Sequence, residues 1–161
     1  MFDVFPIWFR IFFMSMIPYL EARYVIPFAI VYLGWDWWQA FPLAVAGNML
    51  PVPFILLFFR YVEKFLRKFN FWIKILDWLF KRTRVKADSR IRKYEYVGLL
   101  LFVAIPLPFT GAWTGSLVAY LFDLNFSKSL ITIFIGVLIA ALIMVILTIT
   151  LGNIFNFQFN S

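Results

Sequence analysis

The sequence contains no cysteine and no histidine among its 161 residues. Disulfide bridges, thiolate nucleophiles, imidazole metal sites and histidine proton shuttles are therefore excluded, and we expect no cofactor and no metal site. Acidic side chains are also scarce, with eight in the whole chain, and Glu21 is the one that stands inside strongly apolar sequence. General acid–base catalysis would depend on that residue alone, so the sequence does not favour an enzyme.

Apolar residues are what the chain has in excess. Hydrophobic residues make up 64% of the sequence and the mean hydropathy is +0.89, whereas a soluble globular domain is roughly half apolar. Aromatic residues contribute 22%, and several tryptophans fall where helices should reach the membrane interface. We therefore predict an all-α, multi-pass integral protein of the cell membrane, with the lipid bilayer as its first partner.

The net charge of +7 comes from one segment. Residues 60–93 hold twelve of the fifteen Lys and Arg residues but only three of the eight acids. Basic clusters beside membrane spans mark the cytoplasmic side and attract anionic lipid, so we place this segment in the cytoplasm and expect no nucleic-acid partner. Residues 61–80 show a helical period of apolar and charged positions, which predicts an amphipathic helix on the inner membrane surface or, alternatively, against a soluble partner. A solvated basic linker is expected at 81–93.

A charged pair lies in the apolar N-terminal part of the chain. Glu21 and Arg23 stand between Pro18 and Pro27, and proline disfavours helix in the residue before it. An unpaired charge at the centre of a membrane helix costs about 3 kcal/mol, and irregular backbone in a membrane needs polar surroundings, so the pair should face a polar cavity. The short helices expected on either side of this break cover residues 4–16 and 28–33.

The second half of the chain contains a similar break without charges. Short helices at 94–105 and 116–122 should flank an irregular segment at 106–115, because prolines and glycines exclude regular helix there and hydroxyl side chains make it polar. Two longer apolar segments, at about 38–60 and 127–152, should span the bilayer, the first of them kinked by its prolines. The residues assigned to structural breaks are Pro18, Pro27, Pro51, Pro53, Pro106, Pro108, Gly111 and Gly115.

The order of elements repeats after about 88 residues: a short helix, a break, a short helix and a full span. If each broken segment is a re-entrant hairpin, each repeat crosses the bilayer once, and the two repeats must be inverted relative to each other. The basic segment then places both termini outside. The predicted domains are repeat 1 at 1–60 (hairpin about 4–34, span about 38–60), the cytoplasmic amphipathic helix and linker at 61–93, and repeat 2 at 94–161 (hairpin about 94–122, span about 127–152).

The two breaks also carry family motifs. One pattern, Glu-x-Arg-Gly-x-Ile-Pro, is matched from Glu21 to Pro27, and another, Pro-x-Pro-Gly-Thr-Gly-Ala-Trp-Thr-Gly, is matched from Pro106 to Gly115. On these residues the chain resembles the small multidrug export proteins, a family related to the DedA and VTT-domain membrane proteins. Tyr24 and Phe109 stand where the patterns have glycine. The resemblance implies two re-entrant loops that face each other and, for DedA relatives, movement of polyprenyl-phosphate or phospholipid carriers across the bilayer.

Three functions remain open from the sequence. The first is a flippase for an anionic lipid, in which Arg23 holds a phosphate and Glu21 couples transport to H⁺ or Na⁺. The second is an exporter of small amphipathic or cationic drugs with Glu21 as the ligand, and the third is a membrane scaffold or subunit that transports nothing. Two full spans hardly seal a pathway alone, so we expect a homo-oligomer. The predicted substrate-binding residues are Arg23, Asn48, Thr110, Trp113, Thr114 and Ser116.

Overall fold

The computed structural model describes residues 6–66, 68, 89–107 and 110–159, and all secondary structure among these residues is helical. Several helices are interrupted or joined by only a few residues, so the chain folds back on itself repeatedly. The helices are α1 (Ile7–Met16), α2 (Glu21–Val31), α3 (Trp37–Met49), α4 (Pro51–Leu66), α5 (Ser89–Ala104), α6 (Ala112–Leu121) and α7 (Phe126–Phe159).

Helix length separates two classes of element. Trp37–Phe59, which joins α3 to most of α4, and Phe126–Gly152 in α7 are long and apolar enough to cross a membrane. Helices α1, α2 and α6 have only 10, 11 and 10 residues, about half of what a ~30 Å hydrocarbon core requires. The all-helical prediction is confirmed for the part of the chain that the structure describes, and the two long apolar helices are consistent with a membrane protein. The re-entrant and inverted arrangement of the short helices stays a prediction.

The first break is shorter than expected. Only Ile17–Leu20 separate α1 from α2, which begins at Glu21, so the predicted helix at 28–33 starts seven residues early. The prediction that Pro27 breaks the helix is wrong, because this residue lies inside α2. The neighbouring Ile26 and the whole inner face of α2 are buried against α3 and α7, and this packing outweighs the single backbone hydrogen bond that a proline removes.

The first long segment is interrupted at Leu50, which stands between α3 and α4. Pro51 and Pro53 lie in the first turn of α4, where a backbone N–H has no partner within its own helix and proline is tolerated. Helix α4 continues to Leu66, so the start of the predicted amphipathic helix is continuous with the span instead of separate from it. The rest of that prediction, residue 67 and residues 69–80, lies outside the described residues, as do 81–88 of the linker.

In the second half, two predicted boundaries are wrong. Helix α5 begins at Ser89, so residues 89–93 are helical and not a solvated loop. Helix α6 begins at Ala112 and not at 116, because the Gly111 N–H donates to the Thr114 hydroxyl at 2.8 Å and starts the helix there. The span predicted at 127–152 agrees with the apolar stretch Phe126–Gly152, and α7 continues beyond it to Phe159. Of the predicted break residues, Pro108 lies outside the described residues.

The same kind of glycine contact between two helices occurs once in each half of the chain. In α3, a Cβ at Gly47 would overlap the carbonyl oxygen of Phe12 in α1. In α7, a Cβ at Gly136 would lie 3.3 Å from the carbonyl oxygen of Leu100 and 2.8 Å from Val103 Cβ in α5. Both positions therefore allow a short helix to approach a long helix closely, and the two sites are separated by about the predicted repeat offset.

The core lies where the two halves meet. Helix α2 packs on α7, α6 packs on α4, and α3 touches α7 between them. The side chains at this junction are small or aliphatic and almost fully buried, as in Ala29, Ala44 and Ala141. Each short second helix therefore rests on the long helix of the opposite half, which brings the two breaks together.

Candidate functional site

Glu21 and Arg23 occupy the first turn of α2 and are almost completely buried, with 5% and 7% of their surfaces exposed. Glu21 has a backbone φ of +37°, in the left-handed region that residues other than glycine adopt uncommonly. Such strain persists only where surrounding contacts fix it, and it concentrates at functional sites. The contacts that fix this one come from the second half of the chain.

The Glu21 carboxylate caps a helix that begins about 90 residues later in the sequence. It accepts hydrogen bonds from the backbone N–H groups of Ala112 and Trp113, the first two residues of α6. These groups lack partners within their own helix, and the positive end of the helix dipole favours a negative charge beside it. Gly111 makes room for this contact, since a Cβ there would overlap the carboxylate.

The Arg23 guanidinium binds the second break itself. Its Nη1 donates to the carbonyl oxygen of Leu107 and to the Thr110 hydroxyl at 3.2 Å, while Nη2 lies 3.4 Å from a carboxylate oxygen of Glu21. The Thr110 hydroxyl is also within bonding distance of two backbone carbonyls, 2.8 Å from that of Ile105 and 2.9 Å from that of Leu107. Arg23 therefore fixes the irregular backbone that follows α5.

A third bond runs in the opposite direction. The Trp113 indole N–H, from α6, donates to the carbonyl oxygen of Met16 at 3.1 Å, where α1 ends. Each half of the chain thus satisfies polar backbone groups at the break of the other half. Because an unsatisfied backbone group costs several kcal/mol in a membrane, these reciprocal bonds explain how two irregular segments are accommodated side by side.

These residues surround an open cavity of about 340 Å³, which we call the pair cavity. Its volume is at the lower end of the ~300–1,000 Å³ typical of small-molecule sites. The two charged side chains form part of its wall, and two tyrosines that line it, Tyr19 and Tyr24, are half or more exposed. The lining residues are Pro18, Tyr19, Glu21, Arg23, Tyr24, Thr110, Gly111, Trp113 and Thr114.

Most of the predicted site residues meet at this cavity, and two do not. Arg23, Thr110, Trp113 and Thr114 line it together with Glu21, as do the predicted break residues Pro18 and Gly111. Ser116 is fully buried in α6, where its hydroxyl donates to the Ala112 carbonyl at 2.6 Å.

Asn48 is buried on the far side of the charged pair, at a separate small cavity. The remaining break residues are structural: Gly115 packs against Val103, and Pro51 and Pro53 face apolar surface grooves.

Sequence reasoning missed two kinds of participant. Tyr19 and Tyr24 were not predicted as site residues, although Tyr24 stands where the family pattern has glycine. The backbone acceptors Met16 and Leu107 and the backbone donors of α6 carry no side-chain signal at all. They follow only from the contact between the two breaks.

An apolar groove adjoins the pair cavity. It has a volume of about 620 Å³ and shares Trp113 with the pair cavity, so the two spaces adjoin at this residue. The groove is otherwise lined by the end of α1 and the exposed face of α4, with Met16, Leu50, Pro51, Phe54, Ile55, Leu57, Phe58 and Tyr61. A polar cavity beside an apolar groove can bind an amphipathic molecule.

Among the described residues, no group of three or more acidic, cysteine or histidine side chains is placed to bind a metal ion. No curated protein and no solved structure matches the chain significantly. A family profile does match, over residues 21–143, and this range contains the second break and the whole pair cavity except Pro18 and Tyr19. The chain therefore belongs to the family described as "Putative small multi-drug export protein".

Proposed function

We propose that this protein transports amphipathic molecules across the membrane through the pair cavity, and that its substrate carries an anionic head group, as a polyprenyl phosphate or a phospholipid does. The observation that carries the proposal is Arg23, a buried guanidinium at the wall of an open cavity. Guanidinium groups bind phosphate and carboxylate oxygens through two parallel hydrogen bonds, which a lysine cannot reproduce.

The charges around the cavity support an anionic substrate. Glu21 and Arg23 cancel formally, but the carboxylate also faces the N-terminus of α6, which carries roughly half a positive charge. The pair and the helix end together therefore leave an excess of positive charge beside the cavity. An anionic group that enters the cavity is therefore attracted by this positive potential, although the excess positive charge is less than one full unit.

The apolar groove supports the amphipathic part of the proposal. A head group in the pair cavity and a hydrocarbon chain in the groove would both contact Trp113, which lines the two spaces. The groove is exposed apolar surface in a membrane protein, so a lipid chain reaches it from the bilayer without crossing water. Molecules that have both parts are lipids and amphipathic drugs.

The contacts between the halves support a transport mechanism based on inverted repeats. Each half makes the same kind of glycine contact between a short helix and its long helix. The packing between the halves is also reciprocal, because α2 packs on α7 and α6 packs on α4. In such carriers the site lies between the repeats and opens to either side in turn. We propose this arrangement here, with residues 60–93 cytoplasmic, both termini outside, Glu21 coupling transport to H⁺ or Na⁺, and a homo-oligomer sealing the pathway.

The test is flipping of labelled polyprenyl phosphate and of labelled phospholipid in proteoliposomes. Arg23→Lys should slow flipping by about tenfold to a hundredfold, since a hydrogen bond to a charged group contributes about 1.5–3 kcal/mol. Arg10→Lys makes the same exchange on α1, outside the cavity lining, and should leave the rate unchanged. Full flipping by the folded Arg23→Lys protein would refute the role assigned to Arg23.

A second candidate, export of amphipathic cations, is favoured by the aromatic walls of the cavity. Tyr19, Tyr24 and Trp113 offer ring faces that attract cations, and Glu21 offers a carboxylate. A cation exporter would lose transport of a cationic dye in Glu21→Gln and in Tyr24→Leu, and it would tolerate Arg23→Lys. The reciprocal bonds also fit a scaffold that transports nothing. The wild-type form of such a protein would move neither the labelled lipids nor the cationic dye.

A further inference from the structure

A second, much smaller cavity lies behind the Glu21–Arg23 pair. Its volume is about 10 Å³, and its polar walls are Glu21, Arg23 and Asn48, with apolar side chains of α2, α5, α6 and α7 completing it. Asn48 does not line the open pair cavity, so the charged pair separates the two spaces. A space of this size with several polar groups on its wall holds one water molecule.

Asn48 supplies the observation that points to an occupant. The side chain is 3% exposed, and among the described residues its Oδ1 has no hydrogen-bond partner. Buried acceptors without a partner are rare in folded proteins, and each one calls for an explanation such as a bound water or ion. Here the unpaired oxygen belongs to a residue that lines a cavity of the right size.

We propose that one water molecule occupies this cavity, donates hydrogen bonds to Asn48 Oδ1 and to the Glu21 carboxylate, and accepts one from the Arg23 guanidinium. Asn48 is then a positioning residue, which holds the charged pair from behind through the water and does not touch the substrate. The pair is thereby tied to α3 as well as to α6.

The chemistry of the walls favours water over a cation such as Na⁺. Water donates and accepts, so it satisfies two acceptors and a guanidinium donor at the same time. A cation satisfies only the acceptors and is repelled by Arg23, which lines the same small space. Na⁺ also cannot accept a hydrogen bond from the guanidinium. The Arg23 donor would then be unpaired and would face a like charge.

The first test is the sign of a change in melting temperature. Asn48→Leu replaces the amide with an apolar side chain of similar size. If Oδ1 were dry and unpaired, this change would leave the melting temperature of the purified protein unchanged or raise it; with a bridging water, it should lower it by roughly 2–6 °C. Ser129→Ala is the matched control, because the Ser129 hydroxyl is also buried and has no partner within the described part of the chain, but it does not line the cavity, and its loss should not lower the melting temperature.

Two further measurements keep the proposal open to refutation if the leucine variant does not fold. An experimental map at a resolution that shows ordered water should contain one peak among Asn48, Glu21 and Arg23, and an empty cavity would overturn the proposal. Any rise in melting temperature in NaCl over choline chloride should be the same in the wild type and in Asn48→Ala. A Na⁺-specific rise that is lost in Asn48→Ala would assign the site to a cation instead.

The positioning role rests on the proposed transport function and has its own readout. Asn48→Leu should slow flipping of the phosphate lipid several-fold, whereas Asn48→Ser, which keeps an acceptor oxygen and leaves room for a second water, should restore most of the rate. Equal rates in the leucine variant and the wild type would overturn the positioning role. If the wild type itself flips no lipid, the proposed function fails, while the melting and map experiments still decide whether the water is present.

Discussion

The glycines at the contacts between short and long helices give the sharpest prediction about stability. Gly47→Ala places a methyl group on the carbonyl oxygen of Phe12, and this group is also only 3.0 Å from Ser15 Cβ. Neither neighbour is the flexible end of a side chain, so α1 must move away from α3. Gly98 is the matched control, because it also lies within a helix but a Cβ there meets nothing within 4 Å.

The size of the effect follows from two opposing contributions. Alanine is favoured over glycine in a helix interior by about 1 kcal/mol, and this gain applies at both positions. Overpacking costs about 1–3 kcal/mol when the neighbours cannot yield, and this cost applies only at Gly47. We therefore expect Gly98→Ala to be stabilising by up to about 1 kcal/mol, and Gly47→Ala to be less stable than Gly98→Ala by about 1–3 kcal/mol.

Thermal unfolding of the purified protein in detergent, with size-exclusion chromatography to confirm the oligomer, measures this difference. Gly136→Ala should behave like Gly47→Ala but more mildly, because its nearest neighbour is the Val103 side chain at 2.8 Å and not a backbone oxygen. Melting temperatures that were equal for Gly47→Ala and Gly98→Ala would mean that α1 and α3 are not in close contact, and the packing described here would be wrong.

Three further predictions concern the site and the topology. Gly111→Ala should displace the carboxylate that caps α6 and lower both the melting temperature and transport, and normal values for both would refute the cap. Trp113→Phe keeps the ring but loses the bond to Met16, so it should cost about 1 kcal/mol of unfolding free energy, as measured by denaturation against the wild type. Cysteines introduced at 81–93 should react with an impermeant reagent only from the cytoplasm and one at Asn160 only from outside, and labelling of both from one side would exclude the inverted topology.

The sequence predicted which elements exist better than where they end. The break after α1 was predicted from Pro18 and lies there, but Pro27 was expected to act in the same way and instead lies inside α2. The effect of a proline depends on how strongly the surrounding helix is packed, and Ile26 is fully buried between other helices. Local sequence does not contain that information.

The candidate site was predictable as a set of side chains and not as a bonding pattern. Arg23 and Thr110 were assigned to one site because their segments correspond in the repeat, and they form a hydrogen bond across 87 positions of sequence. Glu21 and Arg23 also bond to the backbone of the other half, such as the carbonyl of Leu107 for Arg23, and backbone partners of this kind are not encoded by residue identity.

The capping of α6 by Glu21 has a consequence for synthesis. About 90 residues separate the carboxylate from the N–H groups that it binds, and ribosomes add roughly 5–20 residues per second, so the first half waits about 5–20 seconds for its partner. During that interval Glu21 and Arg23 have only each other and whatever water surrounds them. The first half is thus an unfinished structure until the second arrives, and coexpressed halves should restore transport that neither half has alone.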